Sequence, residues 1–307
     1  MSWKKIDPGD LVDRDHDQQV FRELLLCNDD VRVFTIKDTG GRGKSALLRR
    51  LAYNCEFEEP KTPSALLLLD DLPDATPFKF VVKLWESLKD QVNFPDYEVL
   101  SGLYAKRDFS AFATEAPTFV SSMNFSGSQF QAGSRVENNS IKISGEKQTV
   151  NIAVSDWNPE QFEIARERCV NVFLKELREA CPNRTIVLFL DAWERGNDTL
   201  RDFILKRLLH ACIFDSPNSP PKLVVVIAGR DVPNFQARLR DRYPRFVRPG
   251  GSLKGWSSEH VLAFLKLYGF PDISEKRAAF LAAELEDGAS LLDVKLFIEN
   301  YVNKRAD

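Results

Sequence analysis

The chain has 307 residues, 43% hydrophobic and 28% charged, with a formal net charge of -3 at pH 7. That length can bury the core of one large α/β domain and a smaller second one. A balance so near neutral does not point to nucleic acid or a membrane as the main partner, and no apolar run approaches the ~20 residues that cross a bilayer. Residues 1–8 lack the apolar stretch of a secretory leader, so a cytoplasmic protein is expected. The five cysteines, Cys27, Cys55, Cys169, Cys181 and Cys212, are odd in number and scattered, which favours reduced core thiols. There is no CxxC pair and there are only three histidines, so a zinc site is not expected.

Taken in chain order, residues 31–36 (VRVFTI) read as a buried strand, followed by a glycine-rich turn and a helical stretch over residues 44–54. Residues 64–69 form a second apolar run, and residues 78–88 have helical spacing. Between residues 109 and 152 Ser, Asn, Gly and Gln dominate, which reads as an inserted β-hairpin or a partly disordered excursion. Residues 158–161 (NPEQ) combine an N-cap, a proline at the first helical position and a glutamine at the third. They open a helix with Phe162, Ala165, Cys169, Val172, Phe173 and Leu177 on one face. Residues 186–190 and 223–228 are two more buried strands. After residue 248 the pattern is helical, with Ser257 and Ser274 as caps. Strands alternating with helices predict a three-layer α/β/α domain with a parallel sheet over residues 1–248, followed by a small all-helical subdomain over residues 249–307.

The chemistry concentrates in residues 38–45, DTGGRGKS, placed between a strand and a helix. In that setting backbone N–H groups and the positive helix end surround a polyphosphate. Thr39, Gly40, Gly41, Arg42, Gly43, Lys44, Ser45 and Ala46 are the candidate cradle. Lys44 is suited to bridge the β- and γ-phosphates of ATP or ADP, and the Ser45 hydroxyl to ligate Mg2+. Asp38 stands where the G-x-x-x-x-G-K-[ST] pattern has its first glycine, and is expected to point outward. A metal-side carboxylate should end a neighbouring strand; Asp70 or Asp71 after residues 64–69 and Asp191 after residues 186–190 are the candidates. Glu194 lies three residues beyond Asp191, within reach of an attacking water if the loop curls inward. Arg230 follows the strand at 223–228 and is a candidate phosphate sensor.

These segments together resemble the STAND class of P-loop NTPases, relatives of the AAA+ ATPases that include the NACHT and NB-ARC families; a member of prokaryotic type is expected. DTGGRGKS looks like their GxGGxGK[ST], DAWE at residues 191–194 like the aspartate segment after their third strand, and AGR at 228–230 like their arginine sensor. The resemblance selects Asp191 over Asp70 and Asp71, because in this branch the metal-side aspartate follows the third strand of the nucleotide domain. Residues 11–14 (LVDR), with Phe21 and Leu25, are similar to the box that contacts adenine, which assigns Val12 and Arg14 to the nucleotide; Asp13 replaces the family's glycine. The resemblance implies a slow Mg-dependent ATPase acting as a signal-transduction switch in a defence or stress response, forming a nucleotide-dependent homo-oligomer. Effector and sensor modules are then expected on a longer chain or on other chains. The alternatives are an AAA+-like ATPase acting on nucleic acid, suggested by Arg238, Arg240, Arg242, Arg245 and Arg248, and a non-hydrolysing nucleotide-binding scaffold. The overall acidity argues against a nucleic-acid groove.

Overall fold

The computed structural model describes residues 15–26, 31–40, 43–107, 112, 157–182, 184–214, 222–239, 246–249, 257–267 and 274–286. The insertion expected at 109–152 therefore lies outside the described residues, apart from Phe112. Contacts divide the chain into two compact units, residues 1–92 with 178–307, and residues 93–177.

The first unit is built on five strands, β1 Val33–Lys37, β2 Ser64–Leu68, β3 Ile186–Asp191, β4 Leu223–Gly229 and β5 Val247–Pro249. They pair in the order β2-β3-β4-β1-β5, and every pairing is parallel. Every residue of β3 and β4 is buried, as the continuous apolar runs of a sheet covered on both faces require. β5 was not anticipated. It is three residues long, two of them exposed, and sits at the edge paired with β1, with Arg248 lying 3.6 Å from Glu23.

Parallel pairing brings the C-terminal ends of all strands to one edge of the sheet. Lys37 lies level with Gly229, and Leu190 with Ile227. Asp191 is thus two strands from the end of β1, roughly 10 Å across the sheet at the usual strand spacing. Asp70, in the 3₁₀ turn Leu69–Asp71 after β2, is one strand further out. The sheet order thus gives a spatial reason for preferring Asp191.

Helix α1, Asp15–Leu26, and helix α2, Lys44–Phe57, cover one face of the sheet. Val20, Phe21, Leu24, Leu47, Leu48, Leu51 and Cys55 meet the alternate strand residues Phe34, Ile36, Val187, Phe189, Val224, Val226 and Ala228. The Phe21 and Phe189 rings lie 5.6 Å apart. Each such buried side chain contributes about 1.5–3 kcal/mol, which is what holds α2 and the loop before it against the sheet edge. The opposite face presents Val33, Ile186, Leu188, Leu190, Val225 and Ile227, all fully buried. Helix α3, Pro77–Leu88, follows β2 and packs its Phe80 ring 6.1 Å from Phe203 of helix α6, Asp198–Phe203. Beyond α6 the chain continues in the π-helical segments Ile204–Leu208 and His210–Phe214.

The second unit contains helix α4, Pro95–Ala105, and most of helix α5, Pro159–Ala180. The capping box is present: Gln161 N–H donates to the Asn158 side chain at 2.8 Å, and Asn158 N–H donates to the Gln161 side chain at 2.9 Å. Phe94 stacks on Phe173 at 4.9 Å. Later come the short helix α7, Phe235–Leu239, and helices α8, Ser258–Leu267, and α9, Glu275–Glu286. Ser257 Oγ caps α8 by accepting from His260 N–H at 3.3 Å. Ser274 accepts the Arg277 and Ala278 amides through its main-chain carbonyl. Cys55, Cys169, Cys181 and Cys212 are buried outside any disulfide, and burial pushes each pKa up, to about 12 for Cys55, Cys169 and Cys212. Among the described residues no helix is long and apolar enough to cross a membrane.

Glu176 is 7% exposed and accepts the Asp96 and Tyr97 amides at 2.8 and 3.0 Å, closing the N-terminus of α4. Glu176→Ala leaves two N–H groups of that helix end unpaired and should lower stability by about 2–3 kcal/mol in denaturant unfolding. Glu176→Gln, which keeps an acceptor, should lose less than half of that.

Candidate functional site

The loop after β1 runs into α2 through Gly43, whose φ of 91° and ψ of 14° are left-handed. A side chain there would be strained, so glycine is required to turn the chain into the helix. No side chain caps this helix end, which leaves its first-turn N–H groups directed out of the helix. Ser45, in that first turn, is exposed, and Ala46 is half-buried.

Lys44 is only 9% exposed. Its Nζ donates to the carbonyls of Asp38 at 2.7 Å and Thr39 at 2.6 Å, so the lysine lies along the loop. Burial pulls its pKa below the ordinary lysine value. The negative charges of Asp38, Glu194 and Asp191 oppose that shift, and Arg230 reinforces it. Thus three of the groups singled out in the sequence, Asp191, Glu194 and Arg230, lie within electrostatic reach of Lys44.

Asp191 ends β3, is 4% exposed, and accepts the Ala192 amide at 2.8 Å. Ala192 then adopts φ 55°, an unusual left-handed conformation for a residue with a side chain. That reversal starts the 3₁₀ turn Trp193–Arg195 and brings Glu194 toward the end of β4. Glu194 Oε2 accepts the Arg230 amide at 2.9 Å, and Arg230 Nε lies 3.8 Å from Glu194 Oε1. The Arg230 guanidinium reaches across to the loop, where a Cβ added to Gly40 would lie 2.9 Å from its Nη2. Arg230 therefore spans from Glu194 to the loop after β1.

Asp38 does not stand clear of the loop as expected. Its carboxylate turns back to accept the Thr39 amide at 2.7 Å and Thr39 Oγ1 at 3.3 Å, and its charge acts on Lys44. The Thr39 amide is consequently engaged within the loop. The tightness at Gly229 also went unnoticed in the sequence: a Cβ there would lie 2.4 Å from the Asp231 carbonyl and 2.6 Å from Glu194 Oε2. The signal was present as the glycine directly before Arg230. Val12, Arg14, Gly41 and Arg42 lie outside the described residues.

The donor set suits a polyphosphate with magnesium. An uncapped helix end and Lys44 meet negative charge, while Ser45 and Asp191 supply oxygen ligands of the kind magnesium takes. Among the described residues no group of three or more His, Cys, Asp or Glu could hold a metal alone. A metal held by Ser45 and Asp191 would complete its shell with water or phosphate oxygens.

No protein-family model matches the chain, and no curated protein matches it in sequence. Solved structures do. Drosophila ORC bound to DNA matches 99% of this chain and 59% of its own, with 13% identity and a TM-score of 0.51. The ADP form of Aeropyrum pernix ORC2 matches 93% of this chain and 61% of its own, with 13% identity and a TM-score of 0.45. The chain thus spans about three-fifths of the length of the structures it matches. The first likeness, with the parallel sheet described above, shows a P-loop-type α/β fold. It does not single out the STAND class, and it gives no support to excluding nucleic acid as a partner.

The two glycines separate packing from function. Gly229→Ala meets a backbone carbonyl and should cost more than about 2 kcal/mol in denaturant unfolding. Gly40→Ala meets only the mobile end of Arg230 and should stay within about 0.5 kcal/mol of the parent, while pushing the guanidinium off the loop.

Proposed function

We propose that this chain is a Mg-dependent AAA+ ATPase module that binds ATP at residues 39–46 and hydrolyses it slowly. The observation that carries this reading is the convergence of the carboxylates Asp191 and Glu194 and the Arg230 guanidinium on a buried Lys44 at an uncapped helix end. Bound ATP supplies the scissile phosphoanhydride, and magnesium the charge neutralisation between its phosphates.

In this reading Lys44 and the first-turn amides of α2 hold the phosphates, with Gly40 and Gly43 allowing close backbone approach. Ser45 and Asp191 hold the metal. Glu194 orients and deprotonates the attacking water. Arg230 senses the terminal phosphate; its Nη2 already lies beside Gly40 while its Nε faces Glu194. Arg230 thereby couples the phosphate side of the site to the Glu194 carboxylate. Val12 and Arg14 are proposed for the adenine side. We place the boundary between the nucleotide domain and a helical lid near residue 248.

Two outputs fit this module. An AAA+ ATPase acting on nucleic acid is favoured by the DNA-bound neighbour and by the five arginines between 238 and 248. A STAND-type switch that controls assembly of effector or sensor modules rests on the sequence resemblance. Nucleic acid that raises phosphate release several-fold supports the first; nucleotide-dependent oligomers with no such stimulation support the second.

Glu194→Gln should bind ATP within about twofold of the parent while steady-state phosphate release falls about a hundredfold or more. Unchanged turnover in the variant would remove Glu194 from the reaction, and no turnover in the parent would leave a non-hydrolysing scaffold. Arg230→Ala should weaken ATP more than ADP in a binding titration; equal loss would make Arg230 structural.

A further inference from the structure

Asp38 has no counterpart in the glycine that usually begins a phosphate loop, and its backbone and side chain are all engaged. Its N–H donates to the Gly229 carbonyl at 3.2 Å, which ties the start of the loop to the end of β4. Its carbonyl accepts from Lys44 Nζ at 2.7 Å. Its carboxylate accepts from Thr39 N–H at 2.7 Å and Thr39 Oγ1 at 3.3 Å, a local turn that holds the charge beside the loop. Among the negative charges acting on Lys44, Asp38 is the strongest, ahead of Glu194 and Asp191. Asp191 has a metal to meet and Glu194 a water. Asp38 has no such task in the reaction.

We propose that the Asp38 carboxylate is a built-in anion that competes with polyphosphate for the field of Lys44 and so sets the affinity and charge selectivity of the site. The proposal rests on reading residues 39–46 as the nucleotide site. A fixed negative charge repels a ligand in proportion to the ligand's own charge. Metal-free ATP, the more highly charged form, is therefore penalised more than its magnesium complex. The loop selects the metal-bound nucleotide before any metal ligand is counted. The effect is Coulombic across a partly exposed loop, so salt weakens it.

The test is calorimetric titration of the full chain and of Asp38→Asn with ATP, with and without magnesium, at low and high salt. Asp38→Asn should bind metal-free ATP about five- to tenfold tighter at low salt and the magnesium complex about two- to threefold tighter, with both gains shrinking at high salt. Asp38→Ser keeps an acceptor for the Thr39 amide without the charge and should show the same order of gains, which guards against one variant disturbing the turn. Neutral variants that melt like the parent yet bind no tighter would overturn the proposal and make Asp38 a positioning residue for the loop. If the parent binds ATP, that result leaves the nucleotide reading intact. If neither the parent nor any variant binds ATP, the nucleotide reading falls and this proposal with it.

Discussion

The burial of one ammonium group governs the arrangement of this site. Lys44 begins α2 and is only 9% exposed. A cation in that position is costly unless nearby groups compensate it. The chain meets that demand with two loop carbonyls and three carboxylates drawn from the ends of β1 and β3. The parallel sheet makes this possible, because it delivers the ends of β1, β3 and β4 to the same edge.

A second constraint joins the two sides of the site. The left-handed Ala192 turns Glu194 toward β4, and the narrow space at Gly229 lets its carboxylate reach the Arg230 amide. Arg230 in turn lies against Gly40. A change at the phosphate loop can therefore reach Glu194 through one side chain. The strain at Ala192 is of the kind that persists where surrounding contacts over-determine the backbone.

Much of this could be read from the sequence where the local signal was strong. The apolar runs of β3 and β4, the glycine-rich turn into α2 and the capping box before α5 each combine several mutually supporting residues. β5 was missed because three residues, one of them a proline, carry no period of their own and depend on pairing with β1. The choice of Asp191 over Asp70 rested on chain order and gained a physical basis in the strand order. The position of the Asp38 carboxylate depends on the Thr39 amide and the charge of Lys44, which the residue pattern alone does not place.

The central claim is that Lys44 is the cation of a triphosphate site. Calorimetric titration of ATP with magnesium into the parent protein and into Lys44→Ala, checked for equal folding by circular dichroism, tests it most directly. The account predicts saturable binding to the parent and loss of most of that affinity in the variant. Retention of ATP affinity within a factor of two in Lys44→Ala would contradict it.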